Sequence, residues 1–324
     1  MEISRIAGWN HLHPQTLEKQ YKETLSNFRE WEKTVNPKAL VYPENFGPWM
    51  SIDEVCLSNG ELYTVIINKE AHGKKGALAA IIEGTKCEVV TEALRQVPVS
   101  VRMGVREMTL DFASTMDWIT RTNFPNAILT GDRFHIQQIV SEGVQEMRIE
   151  LRRKAIDEEN AQILSARKGF PQAPSFRAET YENGDTKKQL LARARYCLFK
   201  PSNKWRDSQK ARADILFREF PELKTAYDLS MNFRSIFENA KTKEKAEERM
   251  NAWIKLVTDS TLKPLISAAQ TVTVNLGKIL NYFPDGHSNA GAESFNAKLK
   301  GFRALVRGVR DVKFFLFRVS TFFA

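Results

Sequence analysis

The spacing of hydrophobic residues changes once along this chain, and the change constrains the fold more than any other feature. Residues 50–132 contain short apolar runs separated by turn residues, a pattern typical of strands. From about residue 136 to 285, apolar residues instead recur at helical spacing almost throughout. The sequence therefore predicts an α/β part followed by a block that is nearly all helix.

The α/β part is expected to form a mixed sheet. Its first two runs are joined by Ser-Asn-Gly, a strong hairpin signal, and a third run extends the meander. The last two runs alternate with helical sequences, and this order favours parallel pairing. The five strands are predicted at 50–57, 61–68, 76–84, 101–111 and 126–132.

Charge and cysteine content narrow the class of protein. The 324 residues carry a formal net charge of +9 and 42% hydrophobic residues, which is typical of a globular protein with a polyanionic partner such as nucleic acid. The three cysteines lie far apart and show no Cys-x-x-Cys spacing, so neither a zinc ribbon nor a disulfide framework is expected. We find no signal sequence and no membrane span, and we expect a cytoplasmic, nucleoid-associated protein.

Three carboxylates have positions that invite a functional interpretation. Asp53 lies inside the first strand, where a carboxylate needs a partner such as a cation. Asp111 ends the fourth strand, and ligands bind at the carboxyl ends of strands in open α/β sheets. Glu293 precedes a cationic, aromatic C-terminal segment. Each also has a purely structural interpretation. Asp53 can pair with a buried lysine or arginine, Asp111 can cap the next helix, and Glu293 can be a surface residue.

Together the three would suit hard cations. Carboxylate oxygens are the ligands that Mg²⁺ and Mn²⁺ prefer. Two such ions, roughly 3.5–4 Å apart, activate an attacking oxygen and stabilise the leaving oxygen of a phosphodiester. We therefore expect two Mg²⁺ (or Mn²⁺) ions at a DNA-cleaving site.

Three stretches resemble one family. "SIDEV", "LDFASTMDWITRTNFPNAILTGDRFHI" and "SNAGAESFNAKLKGFR" together are similar to the DDE transposases of the ISL insertion-sequence family, especially the ISAon type. The resemblance runs from about residue 48 to the C-terminus. It implies an RNase H-like core interrupted by a helical insertion, and metal-dependent DNA cleavage with strand transfer.

The resemblance also implies a division of the chain. In longer family members, the region ahead of the core resembles a zinc ribbon followed by a helix-turn-helix. Here only about 45 residues, without cysteine, precede "SIDEV". Recognition of the transposon ends is then expected from a separately encoded DNA-binding protein, with a homodimer or higher assembly on DNA. The expected parts are an N-terminal helical segment (1–44), two parts of the core (45–136 and 286–324) and the insertion (137–285).

The resemblance assigns roles to the carboxylates. It makes Asp53 the first metal ligand and Glu293 the third. The second is Asp111 or Asp132; we place it at Asp111, with Asp132 and His135 as supporting residues. His135 also has the simpler interpretation of a histidine that bonds Asp132 at a helix start.

Basic and aromatic residues mark the expected DNA contacts. Phosphate contacts position DNA without specifying its sequence, and an exposed tryptophan among cations can stack on a base. Packing between helices is the alternative for the tryptophan, and a solvated surface for the cations. The candidates are Asn296, Lys298, Lys300, Arg303, Arg307, Lys204, Trp205 and Arg206.

These observations predict a DDE transposase that cleaves DNA at transposon ends and joins it to target DNA. One alternative is an RNase H-like, structure-specific endonuclease that does not transfer strands. The other is a non-catalytic DNA-binding derivative of a transposase.

Overall fold

The chain divides into two compact units. The core unit comprises Met1–Asp132 and Gly286–Ala324, and the insertion unit comprises Arg133–Asp285. The computed structural model describes residues 3–57, 60–169, 176–283, 290–305 and 311–324.

A six-stranded mixed sheet forms the centre of the core unit. Its strands are Ala39–Val41 (β1), Trp49–Cys56 (β2), Leu62–Asn68 (β3), Leu78–Glu83 (β4), Glu107–Leu110 (β5) and Ile128–Gly131 (β6). In the described residues their order is β1-β4-β3-β2-β5-β6. The pairs β1–β4, β4–β3 and β3–β2 are antiparallel, whereas β2–β5 and β5–β6 are parallel. This mixed sheet confirms the predicted α/β class and is compatible with an RNase H-like core that carries a helical insertion.

One predicted strand is shorter than expected. The segment 101–111 begins inside a short helix, α5 in chain order, which spans Val99–Met103. Pro98 precedes this helix and Gly104 follows it, so the two residues that most often bound helices interrupt the apolar run. Only Glu107–Leu110 is extended.

The proline-rich segment before the hairpin contains an additional edge strand. β1 pairs with β4, and the Tyr42 N–H continues the pairing with a 2.8 Å bond to the Ala79 carbonyl. The Asn45 Nδ2 atom donates to the Leu78 carbonyl at 2.8 Å. These bonds hold the segment across the sheet edge.

Helices cover both faces of the sheet. On one face, Met50, Ile52 and Met108 pack against α4 (Cys87–Leu94) and α6 (Ser114–Asn123). On the other face, Val55, Val65 and Ile67 belong to the same cluster as residues of the two C-terminal helices. These helices are α14 (Ala290–Leu305), which contributes Phe295 and Leu299, and α15 (Val312–Phe323), which contributes Phe315, Leu316 and Val319.

The N-terminal helices α1 (Ile3–Trp9), α2 (Pro14–Gln20) and α3 (Phe28–Thr34) also belong to the core unit. Phe28 is fully buried, and its ring centroid lies 5.1 Å from that of Phe314 and 5.5 Å from that of Phe317. The predicted N-terminal helical segment therefore packs on α15.

The insertion unit is helical, and its longest helix is α7 (Arg133–Gly169). Gly143 does not interrupt α7; a Cβ atom there would lie 3.2 Å from the Pro264 carbonyl oxygen, so glycine permits close helix contact. No helix in the described ranges is both long and apolar enough to cross a membrane. The remaining helices are α8 (Lys187–Arg193), α9 (Asp207–Glu219), α10 (Pro221–Asn239), α11 (Lys243–Thr258), α12 (Lys263–Val274) and α13 (Leu276–Leu280).

Candidate active site

Asp53 projects from the central strand towards the face covered by α14. Side chains alternate along β2, so Met50 and Ile52 enter one apolar cluster while Val55 enters the other, and Asp53 shares the side of Val55. Asp53 is half-buried. Its Oδ2 atom accepts a 2.6 Å hydrogen bond from Asn296 Nδ2, and its Oδ1 atom accepts one of 2.8 Å from the Glu54 backbone N–H.

Parallel pairing brings two further aspartates to the level of Asp53. Ser51 pairs with Thr109, so continuing the register by two residues sets Asp53 beside Asp111. Leu110 pairs with Gly131, so the next position sets Asp111 beside Asp132. The Asp132 N–H donates to the Leu110 carbonyl at 2.9 Å. Asp53 thus lies within β2, while Asp111 and Asp132 directly follow β5 and β6, and the extended register places the three at neighbouring levels.

The two candidates for the second ligand differ in their surroundings. Asp111 is half-buried, and its Oδ1 atom accepts a 2.9 Å bond from the Ala113 N–H, which is the turn-stabilising contact expected of an aspartate before a helix. Asp132 is only 2% exposed. His135 is exposed and lies in the first turn of α7.

The pKa of Glu54 indicates the electrostatic environment around Asp53 and Asp111. Burial, and after it the negative charge of Asp111, raise the pKa of Glu54 above its ordinary value. Glu54 follows Asp53 directly on β2. Negative charge is therefore concentrated where β2 and β5 meet, and a cation there would relieve the repulsion.

The donor atoms suit a hard cation, although the described residues do not complete a site. Asp53 and Asp111 offer carboxylate oxygens, the ligands that Mg²⁺ and Mn²⁺ prefer. Within the described ranges, no group of three His, Cys, Asp or Glu residues is placed to hold a metal. Glu293 belongs to the first turn of α14, but its side chain lies outside the described residues.

A buried ion pair lies on the same face and was not expected from the sequence. Lys69 Nζ lies 2.6 Å from Glu107 Oε1 and 2.6 Å from Thr109 Oγ1. The Thr109 hydroxyl also donates to Glu107 Oε1 at 3.2 Å. Alternation along the chain places Glu107, Thr109 and Asp111 on one side of the sheet. The glutamate within the predicted strand 101–111 is the one signal in the sequence that could have indicated this pair.

The expected DNA contacts on α14 fall into two groups. Lys298 and Lys300 are exposed, and Lys298 Nζ donates to the Gly73 carbonyl at 3.0 Å. Asn296 is buried against Asp53, and Arg303 is buried with its guanidinium 2.8 Å from Glu61 Oε1. The geometry therefore favours roles inside the core unit for Asn296 and Arg303. Arg307 lies outside the described residues.

The expected contacts in the insertion unit divide in the same way. Lys204 and Arg206 are exposed, whereas Trp205 is half-buried. Trp205 Nε1 donates to the Cys197 carbonyl at 2.9 Å, and its ring lies 5.4 Å from that of Tyr227. This geometry favours the packing interpretation of Trp205 over a stacking platform for DNA.

Comparison with known proteins identifies the family. No curated protein matches the chain. The family model of ISL3-type DDE transposases, described as "Transposase", matches residues 50–319. The match includes β2 with Asp53, β5 and β6 with the aspartates that follow them, the insertion unit, and α14 with Asn296. It spans most of the chain, and the chain therefore belongs to the ISL3-type transposase family.

Proposed function

We propose that this chain is the catalytic subunit of a transposase that cuts DNA at transposon ends and joins the cut strand to target DNA. The observation that supports the proposal is the parallel pairing of β2 with β5, whose last pair is Ser51 with Thr109; Asp53 and Asp111 each follow that pair by two residues. The hydrogen bond from Asn296 brings α14 to the same place.

Glu293 is the third carboxylate of the proposed site. It precedes Asn296 by three positions, and residues three apart on a helix are neighbours on its surface. Because Asn296 bonds Asp53, this spacing favours a glutamate that acts with the two aspartates. Asp53, Asp111 and Glu293 would hold two Mg²⁺ or Mn²⁺ ions, which activate the attacking oxygen and stabilise the leaving oxygen.

The proposed reaction has two steps and no covalent enzyme intermediate. A water oxygen attacks the phosphorus at the element end, the bond from phosphorus to the 3′ oxygen breaks, and a free 3′-hydroxyl and a 5′-phosphate result. That 3′-hydroxyl oxygen then attacks a target phosphorus in line, and a target 3′ oxygen leaves with a proton. The protein contributes position and charge rather than a nucleophile.

Binding of DNA follows from charge. A chain with a net charge of +9 attracts a polyanion, and Lys298 and Lys300 are exposed on the helix that contacts Asp53. We propose these two lysines as phosphate contacts beside the site, and Lys204 and Arg206 as contacts on the insertion unit. A homodimer or larger assembly on paired ends, and a separate protein that recognises those ends, complete the proposal.

The deciding experiment uses the full chain and linear DNA that carries the sequences flanking its gene. Cleavage and joined products are measured with Mg²⁺, with Mn²⁺ and with chelator. The wild type is compared with Asp53→Asn, Asp111→Asn and Glu293→Gln. Glu88→Gln, which removes an exposed carboxylate from α4, is the matched control.

We expect metal-dependent cleavage and joining by the wild type and the control, and losses of at least about 100-fold in each site variant. Equal cleavage by the site variants would refute the assignment of the site. Cleavage without joined product would favour the endonuclease alternative, and binding without cleavage the non-catalytic one.

A further inference from the structure

The insertion unit contains a buried arginine without a carboxylate partner among the described residues. Arg148, on α7, is only 6% exposed. Its Nε atom donates to Gln145 Oε1 at 2.7 Å, and its Nη1 atom donates to the Leu191 carbonyl at 2.9 Å. Buried arginines are ordinarily paired with an acid. Here neutral acceptors fix the guanidinium and leave its charge uncompensated.

Two more arginines lie within electrostatic reach of the first. Burial, and after it the positive charges of Arg195 and Arg152, lower the pKa of Arg148. The Gln145 side chain connects Arg148 to the backbone of Arg195, because its Nε2 atom donates to the Arg195 carbonyl at 3.2 Å. Arg152 follows Arg148 by four residues on α7, and residues four apart on a helix are neighbours on its surface. The Arg195 guanidinium lies 5.6 Å from the ring centroid of Tyr196. Arg152 and Arg195 are both exposed.

Several acids of the insertion unit pair with other residues. Glu158 and Glu159 pair with Lys187 and Lys188, and Asp185 pairs with Arg193 and Arg212. In residues 133–169 and 176–283, no described ion pair involves Arg148, Arg152 or Arg195. Three neighbouring positive charges repel one another. An anion that binds all three relieves this repulsion, and the relief strengthens its binding.

We propose that Arg148, Arg152 and Arg195 form a binding site for a backbone phosphate of DNA on the insertion unit. Arg148 is the fixed member, since two hydrogen bonds orient it. Arg152 and Arg195 are the exposed members that reach the phosphate, and the Tyr196 ring supports Arg195. This inference rests on the proposed function, in which the chain acts on DNA. The site would raise affinity without reading sequence.

The test measures how binding depends on salt. The full chain is titrated into a fluorescently labelled duplex of arbitrary sequence at several salt concentrations, without divalent metal. The variants are Arg152→Gln, Arg195→Gln and the double variant, because both residues are exposed and their replacement spares the buried Arg148. Lys154→Gln is the matched control, since it removes one exposed charge from the opposite side of α7.

Each phosphate contact contributes about 0.9 to the slope of log affinity against log salt. We expect the double variant, which removes both exposed contacts to the one phosphate, to reduce the slope by about 0.9 and each single variant by less, while Lys154→Gln leaves it near the wild-type value. Thermal unfolding confirms that each variant is folded. If the double variant binds like Lys154→Gln, the phosphate site is refuted and the proposed function stands. If the wild type binds no DNA at all, both are refuted.

Discussion

Asn296 Nδ2 lies 2.6 Å from Asp53 Oδ2, so a residue of α14 and a residue of β2, 243 positions apart, share a hydrogen bond. Asn296 is 8% exposed, and Phe295 and Leu299 beside it enter the apolar cluster on the sheet. The helix whose first turn includes Glu293 is thereby held against the strand that carries the first candidate ligand. Residues that hold a ligand in place commonly tune metal affinity.

Removing this contact is expected to weaken metal use more than DNA binding. For Asn296→Ala we predict a rise of roughly 10–100-fold in the Mg²⁺ concentration that gives half-maximal cleavage, because the Asp53 carboxylate loses its orientation. Direct Mn²⁺ binding measured by electron paramagnetic resonance should weaken in parallel. Ser294→Ala, an exposed change on the same helix, is the control. Unchanged metal dependence in Asn296→Ala would mean that the contact only packs α14.

The identity of the second ligand can be tested by comparing two matched variants. We predict that Asp111→Asn abolishes cleavage, whereas Asp132→Asn retains part of it, because Asp111 is level with Asp53 and half-buried while Asp132 is almost fully buried one strand further away. Cleavage and Mn²⁺ binding are measured for both at equal folded fraction. The reverse order of activities would make Asp132 the ligand and Asp111 a helix cap.

Substitutions of Arg303 and Lys300 should have different effects: the first on the stability of the core unit, the second on DNA binding. Arg303 pairs with Glu61 inside the core unit, with side chains 6% and 16% exposed, whereas Lys300 is exposed. Breaking one side of a buried pair costs about 3 kcal/mol. We therefore expect Arg303→Gln to lower the free energy of unfolding by about that much in urea denaturation, with an unchanged salt slope of DNA binding.

Lys300→Gln should show the opposite pattern. A surface substitution changes stability by no more than about 0.5 kcal/mol, while loss of one phosphate contact reduces the salt slope by about 0.9. If Arg303→Gln reduced the slope and left stability intact, Arg303 would contact DNA as the sequence first suggested.

Asp185 is predicted to stabilise the insertion unit in a pH-dependent way. Burial by itself raises the pKa of Asp185, but hydrogen bonds and positive charges from Arg212 and Arg193 outweigh it, so the pKa lies below its ordinary value. A carboxyl group with a lowered folded-state pKa contributes stability above its unfolded-state pKa of about 3.9 and loses it as pH falls through the lower, folded-state value.

The corresponding variant is Asp185→Asn. We expect it to lower the free energy of unfolding by about 3 kcal/mol at pH 7, since two arginines lose their anion. The difference from the wild type should shrink as pH falls below about 4. Asp228→Asn, which removes an exposed acid from a pair with Lys224 on α10, should cost less than about 1 kcal/mol. A difference that stays constant with pH would show that the Asp185 charge is not what stabilises the unit.

The sequence alone predicted five of the six strands, in their order along the chain, and the helical block that follows them. Its alternation of apolar residues predicted the hairpin of β2 and β3, and its helix-strand order predicted the parallel pairs. It did not predict α5, because Val99, Val101 and Val105 favour a strand by composition, while Pro98 and Gly104 bound a helix locally. The edge strand β1 was also missed, since three residues among prolines carry too little periodicity to be recognised.

Which side chains meet was decided by tertiary structure. The sequence marked Asp53, Asp111 and Asp132 as candidates, but only the register of β2, β5 and β6, extended by one or two residues, places them at neighbouring positions. Asn296 and Arg303 were both predicted to contact DNA, yet Asn296 bonds Asp53 and Arg303 pairs with Glu61. Periodicity reports which face of an element a residue occupies, whereas its partner depends on how distant elements pack.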